Sequence, residues 1–189
     1  MLRETQCEEA LEKRFGEALA LEKEGKPTEA EIIYRSLLAE RKTPGCYVNL
    51  GVVLYGKSRI EEALENYLEA LKINPRYALA HYNLAYLFDD LHIRYAGEAR
   101  NHYENCLGIN PEYSDALYNY ALLEGRLGHF SKAISMLKRF LEIDKGDTKW
   151  HDLSRWSIEY YEARLAGGDH ESCKHLLDRR EDALKQGGE

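Results

Sequence analysis

A chain of 189 residues with 44% hydrophobic and 31% charged positions is long enough to bury its own core and is composed like a set of amphipathic helices in water. Its formal charge of −7 argues against nucleic acid as the main partner, because phosphate backbones are bound by clustered Lys and Arg that release counterions. Cys7, Cys46, Cys106 and Cys173 stand far apart with no CxxC pair, so they read as free thiols in a reducing compartment rather than as disulfides or a zinc site.

The opening residues Met1–Gln6 lack the apolar core of a signal peptide, and no apolar run approaches the ~18–20 residues of a membrane span. The expectation is a cytoplasmic protein with no membrane partner. In chain order, a first helix is expected over about Glu8 to Glu24, followed after Gly25 by a second carrying Ala30, Tyr34 and Leu37. Pro44 opens the next, with Tyr47, Leu50, Gly51 and Leu54 on one face at helical spacing. A turn at Gly56–Ser58 leads to a helix with Ala63, Tyr67 and Ala70, which stops at Ile73-Asn74-Pro75. Gly51 and Ala63 are small where two helices are expected to cross closely.

The stretch Pro75-x-Tyr77-x-x-Ala80-x-Tyr82-Asn83-x-Ala85 recurs 36 residues later as Pro111-x-Tyr113-x-x-Ala116-x-Tyr118-Asn119-x-Ala121. Such self-similarity marks an internal repeat, and a repeat buries its apolar face only by stacking on its neighbours. Between these copies lie Leu84, Ala85 and Phe88, then Ala99, Tyr103, Cys106 and Ile109-Asn110-Pro111, with a small insertion at His92–Gly97. The following copy carries Leu117, Tyr120, Ala121, Gly128, Ala133, Leu137, Phe140 and Ile143-Asp144-Lys145. Lys149–Ala166 and Glu171–Gln186 make a degenerate last pair, whose second helix has the narrow apolar stripe and charged back of a cap. The reading is one all-α domain over residues 1–189: about five helix pairs, at about 10–43, 44–77, 78–113, 114–147 and 148–186, wound as a right-handed α-solenoid.

These residues resemble the tetratricopeptide repeat family, with a small residue in the first helix of each unit, Ala then an aromatic in the second, and Pro at the boundary. The resemblance covers about Ala10 to Ala166 and is strongest over Pro44–Asp147. It implies that the first helices of successive repeats line a concave groove that holds another chain. Carried onto this sequence, the groove positions are Phe15 and Leu19; Val48, Asn49, Val52 and Tyr55; Tyr82, Asn83, Tyr86, Asp89 and Asp90; Tyr118, Asn119, Leu122 and Arg126; and Asp152, Trp156, Glu159 and Tyr160.

Asn49, Asn83 and Asn119 recur at one position, and an amide ladder can hold a peptide backbone through both donors and acceptors. Tyr55, Tyr82, Tyr86, Tyr118, Trp156 and Tyr160 make the groove aromatic, and exposed aromatic patches mark partner sites. Asp89, Asp90, Asp115, Asp152 and Glu159 lean it acidic, which suits a partner with Lys or Arg flanking apolar anchors. The Lys/Asn clamp with which some family members grip acidic tails is not matched. Around Asn83 its cation positions hold Val48, Val52 and Asp115.

No catalytic constellation is legible, and no cofactor is expected. His170-x-x-Cys173-x-His175 is the one local His/Cys cluster; His170 and Cys173 can share a helix face, but His175 points elsewhere, and one pair cannot make a zinc site. The function expected is a non-enzymatic adaptor or chaperone for a peptide segment. The alternative is a self-assembling scaffold joined through the amino-terminal helix, where Leu2, Cys7, Leu11, Phe15 and Leu19 are expected exposed on one side. A bacterial secretion-type chaperone and an RNA-binding repeat rank below both.

Overall fold

The computed structural model describes residues 2–146 and 148–176, which are all-α, with no strand among them. They group into two compact units, Met1–His92 and Ile93–Glu189. The first holds α1 (Leu2–Lys23), α2 (Pro27–Glu40), α3 (Pro44–Gly56), α4 (Ile60–Ile73) and α5 (Ala78–Leu91). The second holds a 3-10 turn at Ile93–Tyr95, then α6 (Ala96–Ile109), α7 (Ser114–Arg126), α8 (Phe130–Ile143) and α9 (Thr148–Leu165). In each unit, consecutive helices pack side by side, and in the first unit α3 also reaches α5. This is the helix-pair repeat architecture that the spacing predicts. The expected insertion is the 3-10 turn, and it falls at the boundary between the units.

The helix ends follow from the residues placed there. Pro27 and Pro44 occupy first-turn positions, where a missing N–H costs nothing. Thr43 caps α3 by accepting from the Cys46 amide at 3.3 Å. Asn74 and Asn110, just past α4 and α6, are extended and turn the chain identically: each side chain accepts from the amide two residues on, Arg76 at 3.0 Å and Glu112 at 3.2 Å.

Four helices end on one hydrogen-bonding pattern. At α1, α3, α7 and α9 a residue with positive φ, namely Gly25 (72°), Ser58 (58°), Gly128 (82°) and Gly167 (96°), donates to a carbonyl three residues back. The next amide then reaches five back: Lys26 to Leu21 at 2.8 Å, Arg59 to Leu54 at 2.9 Å, His129 to Glu124 at 2.9 Å and Gly168 to Ala163 at 3.1 Å. This is the Schellman closure, and its left-handed residue is normally Gly. Ser58 is the exception among the four.

Small residues set the helix spacing, as expected. A Cβ added at Gly51 would lie 2.4 Å from the Tyr67 ring, and one at Gly125 would lie 2.1 Å from the Tyr161 hydroxyl. The first unit's core is built on Tyr34, Leu50, Leu54, Tyr67 and Leu84, and a core cluster of the second on Leu117, Ala121, Leu137, Phe140 and Tyr161.

Two buried carboxylates fasten the turns. Glu31 of α2 accepts from Lys57 at 2.8 Å and Arg59 at 2.7 Å, both in the α3–α4 turn, and from Arg35 at 2.9 Å. The Lys57 bond, with those from Arg59 and Arg35, outweighs burial and lowers its pKa from 4.5 to about 2. Glu124 of α7 is fully buried and is reached by Arg100 at 2.9 Å, His129 at 2.6 Å and Lys132 at 3.1 Å. Burial opposes its charge, but the bonds from Lys132, His129 and Tyr120 hold its carboxyl below the ordinary range.

Ser58→Gly removes the strain of an L-residue in the left-handed region and is expected to stabilise the protein by about 0.5–1 kcal/mol after the entropy cost of glycine. A urea midpoint that stays put or falls would contradict this. Glu31 is ionised in the folded chain down to about pH 2 but in the unfolded chain only above about 4.5. Its contribution, roughly 2–3 kcal/mol, is therefore complete above that range and lost as pH falls towards 2. Wild type is expected to exceed Glu31→Gln in stability at pH 6 by that order, with the gap closing by about pH 2–3 in denaturant titrations.

Candidate functional site

In the first unit, α3 and α5 bring six of the expected groove side chains to one surface. Val52 and Tyr86 hold equivalent repeat positions and are 39% and 42% exposed. Tyr86 lies edge-on to Tyr55, ring centroids 5.9 Å apart, and tilted against Tyr82 at 6.3 Å. The Tyr55 hydroxyl donates to Asp90 Oδ2 at 2.5 Å, which fixes that ring. Burial and this bond to Asp90 raise the Tyr55 pKa, so the phenol stays protonated. Asp89 is half-buried beside Asp90 on the same helix end. The result is an aromatic surface with a carboxylate edge, held by contacts inside the unit.

The amide ladder is engaged within the chain. Asn83 donates to the Leu79 carbonyl of its own helix at 2.8 Å, and Asn49 is half-buried on α3. Asn119 is half-buried on α7.

Three expected groove residues are core instead. Val48 is wholly buried, and Tyr118 and Tyr160 are each 6% exposed. Val48 and Tyr118 share a repeat position with Tyr82, which is only half-buried, so the neighbours decide whether this position is closed into the core. Tyr118 packs on Phe140 at 5.4 Å and on Trp150 at 5.2 Å. For Tyr160 the cause is register. Counted back from the left-handed turn residue, it stands seven before Gly167, as Gly51 stands before Ser58 and Ala121 before Gly128. It therefore fills the small-residue position of the crossing. Trp156 and Leu122 are half-buried and Arg126 is exposed.

Two clefts accompany these surfaces. One of about 580 Å³ in the first unit is lined by Leu11, Phe15, Leu37, Cys46 and Tyr77, with Arg41 bonded across to Glu8 at 3.2 Å. The expectation of an exposed apolar stripe on α1 is corrected here, because Leu11 and Phe15 pack against the core and only Leu19 is exposed. Leu2 and Cys7 lie outside the described side chains. The other, of about 520 Å³ in the second unit, includes Leu122, Arg126 and Tyr160 in its wall.

Cys46, Cys106 and Cys173 are buried free thiols. Burial, reinforced by the nearby Asp115 charge, pushes the Cys106 thiol up to about 12. His170 bonds Tyr160 while His175 turns to the Ser172 carbonyl, and among the described residues no group of three or more His, Cys, Asp or Glu is placed to hold a metal. No helix among them is long and apolar enough to cross a membrane. The expected capping helix begins at residues 174–176, with Cys173 and Leu176 against the core, and its remainder lies outside the described residues.

Stacked helix pairs with small crossing residues and one shared turn closure define a helical-repeat protein. Two family models identify which kind. One, described as TPR repeat, matches residues 51–90, and the other, described as tetratricopeptide repeat, matches residues 96–157. Together they span more than half of the chain, which belongs to the tetratricopeptide repeat family. No curated protein matches the sequence significantly.

Solved structures agree on the fold. A tetratricopeptide repeat protein from Parabacteroides merdae is similar with a TM-score of 0.67 at 19% identity, over 95% of this chain and 68% of that one. A thermophilic repeat protein of Thermus thermophilus gives 0.66 at 19%, over 94% and 93%. MamA from Desulfovibrio magneticus gives 0.66 at 17%, over 95% and 97%.

The burial difference between two tyrosines of the expected groove is directly measurable. Tyr118→Ala is expected to cost about 3–5 kcal/mol as a core truncation, whereas Tyr86→Ala should cost under about 1 kcal/mol. Comparable losses in thermal or denaturant unfolding would place both in the same environment and contradict the assignment.

Proposed function

We propose that this chain is a non-enzymatic adaptor or chaperone of the cytoplasm that holds an extended or helical peptide segment against the tyrosine surface of its first unit. Members of the tetratricopeptide repeat family are typically protein-interaction modules, and that membership supports the general class. The observation that carries the particular reading is the cluster of exposed Val52 and Tyr86 with half-buried Tyr82 around Tyr55, edged by Asp89 and Asp90. Pre-positioned tyrosines give large contact area for little lost rotamer freedom, which is the physics of a binding hot spot. The carboxylate edge suits a ligand with Lys or Arg beside an apolar anchor. Asn83 spends one amide hydrogen on its own helix, and the amide group has further capacity for a peptide backbone.

Affinity capture from native lysate, comparing wild type with Tyr82→Ala/Tyr86→Ala, tests the site. The double variant is expected to keep its helicity and lose the captured partner by at least about ten-fold. Capture of the same partners at the same yield would remove the first-unit surface from consideration. Recovery of nothing but further copies of the chain would favour the self-assembling scaffold.

A further inference from the structure

The second unit carries a cleft whose chemistry is opposite to that of the first-unit surface. Its volume is about 520 Å³, and its charged or ionisable nitrogen side chains are Arg126, Arg164 and His170, with no carboxylate in the wall. The local balance is thus the reverse of the chain's net charge of −7. The floor is aromatic, with Phe130 stacked on Tyr161 at 5.6 Å. We infer that this cleft binds the carboxylate of an acidic peptide segment, with an adjacent apolar side chain against Leu122, Leu127 and Phe130.

Arg164 is the cation held in place. Its guanidinium lies 5.0 Å from the Phe130 ring centroid, and one of its N–H groups donates to the Tyr160 hydroxyl at 2.9 Å. Tyr160 is fixed in turn by His170 Nδ1 at 2.8 Å. A guanidinium has five N–H donors, and a fork already oriented by a ring and a phenol loses little freedom on gripping a carboxylate. The buried Tyr160 thereby acquires a role. It stands where a small residue stands in other repeats, and it carries the hydroxyl that orients Arg164.

The charge count selects the ligand. Asp169 follows α9 and its Oδ1 accepts from the Ser172 amide at 2.7 Å. That bond comes first, and with the Ser172 hydroxyl and the charge of Arg164 it holds the Asp169 carboxyl below its ordinary range. Part of the positive field is thereby offset. The oriented Arg164 guanidinium, partly offset by Asp169 and set beside leucines and aromatic rings, fits a monoanion with hydrocarbon beside it. A doubly charged, fully hydrated phosphate fits less well. The positions also differ from the family's Lys/Asn clamp, because Arg126 and Arg164 lie in the last turns of α7 and α9.

The test is calorimetric titration of the full-length chain with three probes: an end-blocked peptide alternating glutamate and leucine, its glutamine counterpart, and inorganic phosphate. The glutamate peptide should bind, the glutamine peptide at least about ten-fold more weakly, and phosphate negligibly. Arg164→Gln should weaken the glutamate peptide by at least about ten-fold and Arg164→Lys by less, with unfolding temperature checked for each. Arg126→Gln, on an exposed position in the cleft wall, should also weaken it. Tyr82→Ala/Tyr86→Ala should leave this binding unchanged, so its outcome is separate from that of the first-unit surface. Equal affinity for the two peptides, indifference to both arginine substitutions, or phosphate as the tighter ligand would each overturn the assignment.

Discussion

The close crossing of paired helices constrains everything else in this chain. Where α3 meets α4, Gly51 lies against the face of Tyr67 with no room for a single methyl group. The same position is filled by Ala18 and Ala121, both fully buried. A small residue on one helix and an aromatic on the next fix the separation of the pair. The left-handed turn seven residues further on then fixes where the second helix begins. Spacing and turn together decide which side chains of each first helix are left facing outward. The candidate binding surfaces are remainders of that packing, which is why one residue of register moves a tyrosine from surface to core.

The buried carboxylates act on the same joints from the polar side. Glu31 takes its bonds from Lys57 and Arg59 in the α3–α4 turn, and Glu124 takes one from His129 in the α7–α8 turn. A buried ion pair recovers little more than its desolvation cost, so its net stabilisation is modest. Removing one member, however, strands the others, and that penalty is large. Such an arrangement sharpens geometry more than it adds stability, and here it pins the loops that set helix-to-helix register. Lys132 adds to this by bonding Tyr120, Glu104 and Glu124 together, extending one fixed turn into the face of α7 and α8.

The fold is legible in the sequence because its determinants are local and repeated. Pro75 and Pro111, Asn74 and Asn110, and the Ala–Tyr spacing of the second helices each act within a few residues, so the periodic pattern carries them directly. The first-unit surface is legible for the same reason, since Val52 and Tyr86 are displaced by one repeat and stay outward. Tyr118 departs from expectation because burial at its repeat position varies with the neighbours: Tyr82 is half-buried there and Val48 wholly so. Tyr160 departs because α9, at 18 residues, is longer than the first helices of the three repeats before it, so alignment from its start slips against alignment from its turn. Glu124 is visible in principle. It stands where Leu54 and Phe88 stand in the preceding repeats, and a carboxylate at an apolar packing position calls for buried cations. The identity of those cations, from α6, a turn and α8, depends on contacts that no local pattern contains.

Net charge conceals the most informative electrostatics. A value of −7 describes the field at distances beyond the ~8–10 Å over which salt screens, and it weighs against a polyanion as the principal ligand. Recognition takes place inside that distance. There the first unit offers tyrosines beside Asp89 and Asp90, while the second offers Arg126, Arg164 and His170 in a cleft without carboxylates. Within a cleft, fixed N–H groups act at contact range, where the distant charges of the surface are screened. On the inference that the second-unit cleft seats a carboxylate, long-range charge slows acidic ligands in general and the short-range cations retain those that also bury an apolar side chain.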